Sequence, residues 1–140
     1  MIRFLSFLLF LLCCHSPMGM AQGKKDMKDY WIDKYLSVSF PLESIRINST
    51  FGSRVDPFTG KHKQHKGLDL RARYEEVLSM FDGYVKGVGY DSGSGKYITM
   101  QYGDYTVSYC HLSEIWVSDN QKVYAGDPIG ISGTTGRSTG

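Results

Sequence analysis

The sequence predicts an all-β domain, folded as a compact antiparallel sandwich or open barrel with one short N-terminal helix. Short segments that alternate apolar and polar residues recur from residue 45 onward, and turn signals separate them. Sixteen glycines and four prolines indicate many turns and few long helices. Only residues 24–36 carry apolar side chains at helical spacing.

Residues 1–21 are predicted to be a secretory signal peptide. Arg3 supplies a short basic start, an almost uninterrupted apolar run spans Phe4–Cys14, and small residues favour cleavage after Ala21. The run is too short for a membrane span, which takes about 20 apolar residues. A lipid anchor on one of the two cysteines that end the run is the alternative, but bulky residues precede both. We therefore expect an exported protein with no transmembrane helix after cleavage.

Residues 22–43 are predicted to form an N-terminal arm that packs on the domain. Met27, Trp31 and Tyr35 recur every four residues, so we expect a short amphipathic helix here.

The β domain is expected to span residues 44–140. In Leu68–Arg71 the two leucines are expected to face inward and Asp69 to face the other side. Lys96–Tyr102 and Tyr105–Leu112 predict a hairpin around the Gly-Asp pair between them. The other predicted strands are Ile45–Ile47, Tyr84–Val88, Val123 and Ile129–Ile131.

Charge and cysteine content exclude some functions. A formal net charge of +2 does not point to a nucleic-acid partner. The basic run over residues 61–66 could bind an anion, although a solvated loop is the commoner case. Cys110 is the lone cysteine after the predicted leader, so no internal disulfide is expected. A lone cysteine on a strand is more often a buried apolar residue than a nucleophile.

His65 and Asp69 are the strongest candidates for a metal site. An imidazole and a carboxylate are both zinc ligands, and a four-residue spacing lets them meet at one ion. Gly67 is expected to let the chain bend between them. A hydrolytic zinc site holds three protein ligands and a water molecule, whose pKa falls from about 15.7 toward 7. From the residues alone, a surface histidine beside a strand carboxylate remains the alternative.

A series of motifs resembles the lysostaphin-like, or LytM-type, zinc metallopeptidases over about residues 45–140. The motifs are Phe51-Gly52-Ser53-Arg54, Asp56-Pro57-Phe58-Thr59-Gly60, His65-Lys66-Gly67-Leu68-Asp69, Asp82-Gly83-Tyr84-Val85, Tyr109-Cys110-His111-Leu112-Ser113, Ala125-Gly126-Asp127-Pro128-Ile129-Gly130 and the small-residue stretch Gly133–Gly140. Their order and approximate spacing carry the resemblance.

The resemblance implies an all-β fold of the duplicated hybrid motif type, with zinc at the base of a groove. It implies that His65 and Asp69 are zinc ligands and that His111 is a catalytic histidine outside the metal shell. Tyr109 and His111 are two residues apart on one predicted strand, so they are expected to share a face. A histidine there could donate a proton or stabilise an oxyanion, and a structural strand-end histidine is the alternative.

The family pattern continues with a His-x-His pair that supplies the third ligand and a base. The printed sequence ends at Gly140, so we expect that pair and its C-terminal strand or strands to be missing. His62 is another histidine of the predicted domain, and it would have to fold back to replace the ligand.

The sequence thus predicts an exported zinc-dependent endopeptidase of the periplasm or cell envelope that cleaves peptide cross-links of peptidoglycan. The expected partners are peptidoglycan peptides. The alternative is a catalytically inactive LytM-type module that binds cell wall or activates amidases, and the presence of His65, Asp69 and His111 argues against it. An inactive product of an interrupted gene is a third possibility.

Overall fold

The computed structural model describes residues 26–138, without the side chains of residues 31 and 33–35. Within that range it contains one helix and eleven strands. In chain order they are α1 (Met27–Leu36), β1 (Ile47–Ser49), β2 (Gly52–Val55), β3 (His62–His65), β4 (Asp69–Leu70), β5 (Glu76–Leu78), β6 (Gly83–Asp91), β7 (Gly95–Tyr102), β8 (Tyr105–Leu112), β9 (Glu114–Ile115), β10 (Lys122–Val123) and β11 (Pro128–Ile131).

A four-stranded antiparallel sheet, ordered β10-β6-β7-β8, forms the centre of the domain. Its long strands β6, β7 and β8 follow one another through tight turns, which confirms the predicted hairpin. Along β7 the side chains of Ile98, Met100 and Tyr102 are buried, with more exposed residues between them. This alternation follows from the pleat and places one face of the sheet on the core.

A second antiparallel sheet, ordered β5-β11-β9, contributes to the same core. Val77 of β5 and Ile129 of β11 belong to one buried cluster with Val85, Ile98 and other residues of the central sheet. Each fully buried aliphatic side chain contributes about 1.5–3 kcal/mol to stability. The two sheets therefore stabilise each other, and the all-β prediction is confirmed.

Two small antiparallel ribbons, β1–β4 and β2–β3, carry the motifs around the predicted metal site. The expectation of a loop over residues 61–66 is wrong, because residues 62–65 form β3. Val55 pairs with His62 and Gly52 with His65. Pairing between β2 and β3 gives hydrogen-bond partners to backbone N–H and C=O groups, while most of the polar side chains of β3 stay exposed.

The inward orientation predicted for both leucines of residues 68–71 is half wrong. Leu70 packs against the core, but the Leu68 side chain is 54% exposed. Strand β4 has only two residues, and Leu68 precedes it. The inward and outward alternation of side chains along a paired strand therefore does not apply to Leu68.

The N-terminal helix forms where the periodicity predicted it, but its described apolar side chains do not pack. Met27, Ile32 and Leu36 are all exposed. The arm contacts the domain just after the helix. Val38 forms an isolated antiparallel β-bridge with Phe81, and the Ser39 amide donates a hydrogen bond to the Met80 carbonyl. Further along, Leu42 is buried in the core.

The predicted signal peptide lies outside the described residues and stays a prediction. Over residues 26–138, the structure has no helix long and apolar enough to cross a bilayer.

Candidate functional site

The two ribbons bring together side chains that are well separated in the sequence. His65 ends β3 opposite Gly52, and Asp69 begins β4 opposite Ser49. His65 Nε2 lies 3.1 Å from Asp69 Oδ1. The structure therefore places the two proposed metal ligands within reach of one ion.

A hydrogen bond fixes which nitrogen of His65 carries the proton. Its Nδ1 lies 2.8 Å from the Thr50 carbonyl oxygen, which can only accept, so Nδ1–H is the donor. In the neutral ring the Nε2 lone pair then faces Asp69 Oδ1. That arrangement is unfavourable unless a proton or a cation lies between the two acceptors. It matches a metal-ligating histidine whose other nitrogen is held by a backbone carbonyl.

Asp69 is held in place by Arg54. The Arg54 guanidinium donates to Asp69 Oδ2 at 3.0 Å and to Ser49 Oγ at 2.6 Å. Both Arg54 and Asp69 have side chains about one-third exposed. Because Oδ2 is engaged by Arg54, Oδ1 is the oxygen turned toward His65.

This donor set fits zinc. Neutral imidazole and carboxylate are ordinary zinc ligands, and ligand atoms at a tetrahedral zinc stand about 3.3 Å apart. The 3.1 Å separation of His65 Nε2 and Asp69 Oδ1 is close to that value. Residues 26–138 contain no group of three or more His, Cys, Asp or Glu side chains that could hold a metal, and His62 does not complete the pair.

The turn between the two proposed ligands does not depend on a left-handed glycine. Gly67 is not among the glycines with positive φ. A Cβ at this position would lie 3.8 Å from His65 Nε2, an ordinary contact. The expected role of Gly67 in the bend is therefore wrong.

His111 sits at a bulge in β8. Ile98 pairs with Tyr109 and Lys96 with Leu112, so β8 has one more residue than β7 over this stretch. His111 takes up the irregularity with a φ of 61°, which non-glycine residues adopt rarely. Bulges of this kind often re-aim a side chain next to an active site.

Tyr109 and His111, which were expected to share a face, contact different groups. Tyr109 is buried, and its hydroxyl accepts from the Met80 amide and bonds the Tyr102 hydroxyl. His111 is half-buried, and the shared face stays a prediction. Cys110 between them is exposed, so the prediction of a buried apolar cysteine is wrong.

The side chain of His111 is held by the segment that follows β11. Its Nδ1 lies 2.8 Å from the Thr135 carbonyl oxygen, so Nδ1–H again donates and Nε2 keeps the lone pair. The same threonine donates its hydroxyl to the Leu112 carbonyl at 2.7 Å. The structure brings His65 and Asp69 into contact, and it holds His111 through these separate contacts to Thr135.

Sequence reasoning gave no role to Arg54, Thr135 or the Asp56–Arg137 ion pair. Each lies inside a motif that carried the family resemblance. Their partners are 15 to 81 residues away along the chain, so no local pattern could identify them. For Arg54, Asp56 and Arg137 the available signal was a single charged residue in a motif of otherwise uncharged residues.

Comparison with known proteins matches this chain to peptidases by family model and by sequence. A model of Peptidase family M23 matches residues 63–140. An uncharacterized metalloprotease of Buchnera aphidicola is 38% identical, over 74% of this chain and 28% of that protein. Peptidoglycan DD-endopeptidase ShyA of Vibrio cholerae is also 38% identical, over 72% of this chain and 24% of that protein.

Among solved structures, a zinc-containing peptidase from Vibrio cholerae superimposes with a TM-score of 0.66 and 33% identity. The match covers 72% of this chain and 33% of that one. The chain spans about a quarter of the length of the curated relatives it matches.

Proposed function

The chain belongs to Peptidase family M23, and we propose that it is the peptidase domain of an exported, zinc-dependent endopeptidase that cleaves peptide cross-links of peptidoglycan. The observation that carries the proposal is the 3.1 Å approach of His65 Nε2 to Asp69 Oδ1. The relatives named as peptidoglycan DD-endopeptidases support the substrate class.

His65 and Asp69 would hold the zinc ion through Nε2 and Oδ1. When bound, zinc supplies a Lewis acid that makes hydroxide available near neutral pH. Thr50 keeps the His65 ring in the ligating tautomer, and Arg54 keeps the Asp69 carboxylate turned toward it.

His111 would move the proton. With Nδ1–H bonded to Thr135, the neutral ring has a free lone pair at Nε2. That nitrogen can accept a proton from the attacking water and later donate it to the leaving amine of the cleaved peptide. No covalent intermediate with the protein is required.

Export is supported by the predicted signal peptide over residues 1–21. The peptidoglycan enzymes among the relatives are consistent with a site of action in the periplasm or cell envelope.

The test is cleavage of purified cross-linked muropeptide dimers by the full-length protein. We expect His65→Ala and Asp69→Ala to lower both cleavage and bound zinc at least 100-fold, since loss of even an outer-shell partner costs 10–100-fold. His62→Ala, which removes an exposed histidine of the same strand, is the matched control and should match wild type. A chelator should abolish cleavage, and added zinc should restore it.

Wild-type cleavage that persists without metal would refute the zinc mechanism. Binding of the dimers without any cleavage would instead favour the non-catalytic module. Amidase activation assayed in parallel would identify that module's role.

A further inference from the structure

Asp56 and Arg137 form an ion pair that joins two distant parts of the chain, with the carboxylate buried and the Arg137 side chain 42% exposed. We call this pair the clamp. Arg137 Nη2 lies 2.9 Å from Asp56 Oδ1 and 3.1 Å from Oδ2. Asp56 is only 7% exposed, so its carboxylate is largely removed from water. Removing the Arg137 guanidinium would leave this buried carboxylate without its closest cation, which is costly.

The carboxylate of the clamp also organises the turn between β2 and β3. Asp56 Oδ1 accepts from the amides of Phe58 and Thr59, both at 2.9 Å. Burial alone would raise the pKa of Asp56, but these amides and the Arg137 guanidinium outweigh it and hold that pKa below its ordinary value. Lys63 Nζ approaches Oδ2 at 3.9 Å. The anionic form of Asp56 is thus the one the fold selects.

Arg137 reaches a third part of the chain. Its guanidinium lies over the Phe58 ring, 4.5 Å from the centroid, and its backbone amide donates to the Gly93 carbonyl at 3.0 Å. One residue therefore ties the segment after β11 both to the β2–β3 turn and to the turn between β6 and β7.

The tied segment holds His111. Thr135, two residues before Arg137, accepts Nδ1–H of His111 on its carbonyl and the Lys96 amide on its hydroxyl. The packing is tight, since a Cβ on Gly95 would lie 2.3 Å from the Thr135 carbonyl oxygen. A Cβ on Gly136 would lie 2.2 Å from the Gly95 nitrogen. A displaced segment would therefore move the acceptor that orients the imidazole.

We propose that the Asp56–Arg137 clamp positions His111, by fixing the Thr135 carbonyl that holds its Nδ1–H. The inference rests on the proposed function, in which His111 transfers the proton through Nε2. Arg137 acts here as a positioning residue and does not touch the reacting atoms. Residues 132–138 lie outside any strand, so side-chain anchors such as Arg137 must supply part of the order that a strand would have.

The first test reads the tautomer of His111 directly. The protein is labelled with 15N-histidine, and long-range 1H–15N correlations are recorded above about pH 7.5, where an ordinary imidazole is neutral. Wild type should show His111 as the Nδ1–H tautomer. Arg137→Gln and Asp56→Asn should shift it toward a mixture with Nε2–H. Arg73→Gln, the same substitution at an exposed arginine outside the clamp, should leave it unchanged.

The second test separates positioning from substrate contact. On cross-linked muropeptides, Arg137→Gln should lower kcat about 100-fold, the size expected for a small misplacement of a catalytic group. KM should change by less than about twofold, because the clamp does not contact the substrate and the variant loses no binding contact that substrate and transition state share. Arg137→Lys keeps the charge but loses the planar guanidinium, so it should fall between wild type and Arg137→Gln.

The two tests separate failure of the positioning role from failure of the proposed function. An unchanged His111 tautomer in Arg137→Gln and Asp56→Asn would refute the positioning role of the clamp, as would a rise in KM with kcat intact. If Arg137→Gln does not fold, Arg137→Lys and Asp56→Asn decide by the same readouts. A wild-type protein that cleaves no muropeptide would refute the proposed function, and the tautomer comparison would still test whether the clamp positions His111.

Discussion

At His65 a single hydrogen bond decides what the imidazole can do. The Thr50 carbonyl accepts a hydrogen bond from Nδ1–H, so in the neutral ring Nε2 carries the lone pair that can bind a metal. Asp69 depends in the same way on Arg54, which engages the oxygen that does not face His65. The proposed ligands are therefore pre-set by partners that bind no metal themselves.

The role of Arg54 can be measured as zinc affinity. We expect Arg54→Gln to weaken zinc binding about 10- to 100-fold, because Asp69 loses the contact that orients it. Arg54→Lys should restore part of the loss. The readout is competition with a chromophoric chelator, and Arg46→Gln, at an exposed arginine, is the matched control. Equal affinity in Arg54→Gln and wild type would rule out this role.

The proximity of His65 and Asp69 was predictable, and the shell around them was not. A spacing of four residues limits how far apart two side chains can lie, so chemistry and spacing sufficed. Arg54 approaches Asp69 only because two separate ribbons lie side by side. Nothing in the local sequence specifies that arrangement.

At the scale of the element, the β8 bulge places His111 in a left-handed conformation. Any side chain there is strained by roughly 1–2 kcal/mol relative to glycine. Both His111→Gly and His111→Ala lose the bond to Thr135, so their comparison isolates the backbone. We expect the glycine variant to be about 1 kcal/mol more stable than the alanine variant in urea unfolding, with peptidase activity lost in both. Equal stabilities would mean that the bulge relaxes without glycine.

The buried hydroxyl chain between the sheets offers a second element-scale prediction. Tyr109 OH bonds both the Met80 amide and Tyr102 OH, and Ser79 continues the chain. Burial and the Tyr102 hydroxyl strongly raise the pKa of Tyr109, so the phenol is neutral. Tyr109→Phe should cost about 1–3 kcal/mol in urea unfolding, because it leaves polar partners unsatisfied. Tyr105→Phe, at a ring 77% exposed, should cost nothing measurable.

At the scale of the whole molecule, the sequence predicted the class of fold and its central hairpin. Tight turns join β6, β7 and β8, so alternation and turn chemistry were enough. The β5-β11-β9 sheet and the two ribbons pair residues that are far apart along the chain, such as Glu76 with Ile131. Such pairings are selected by burial of the shared core, which no short window of sequence contains.

The clamp should also appear in the acid stability of the whole domain. The pKa of Asp56 lies below its ordinary value of 3.8 when folded, because the amides of Phe58 and Thr59 and the charge of Arg137 outweigh burial. A depressed folded pKa contributes stability above the unfolded value and loses it as pH falls through the folded value. The free energy of unfolding should therefore drop between about pH 5 and pH 2.

Asp56→Asn should be less stable at neutral pH because it loses the ion pair with Arg137. It should lose less stability over that pH interval because the amide does not titrate. Asp91, whose pKa amide hydrogen bonds from Ser94 and Gly93 also lower, contributes to the same fall. Urea midpoints measured across the pH series for wild type, Asp56→Asn and Asp91→Asn would show both effects. If wild type and Asp56→Asn lose stability with equal slopes, the native state does not favour the charged form of Asp56. The ion pair with Arg137 would then not hold the segment that carries Thr135.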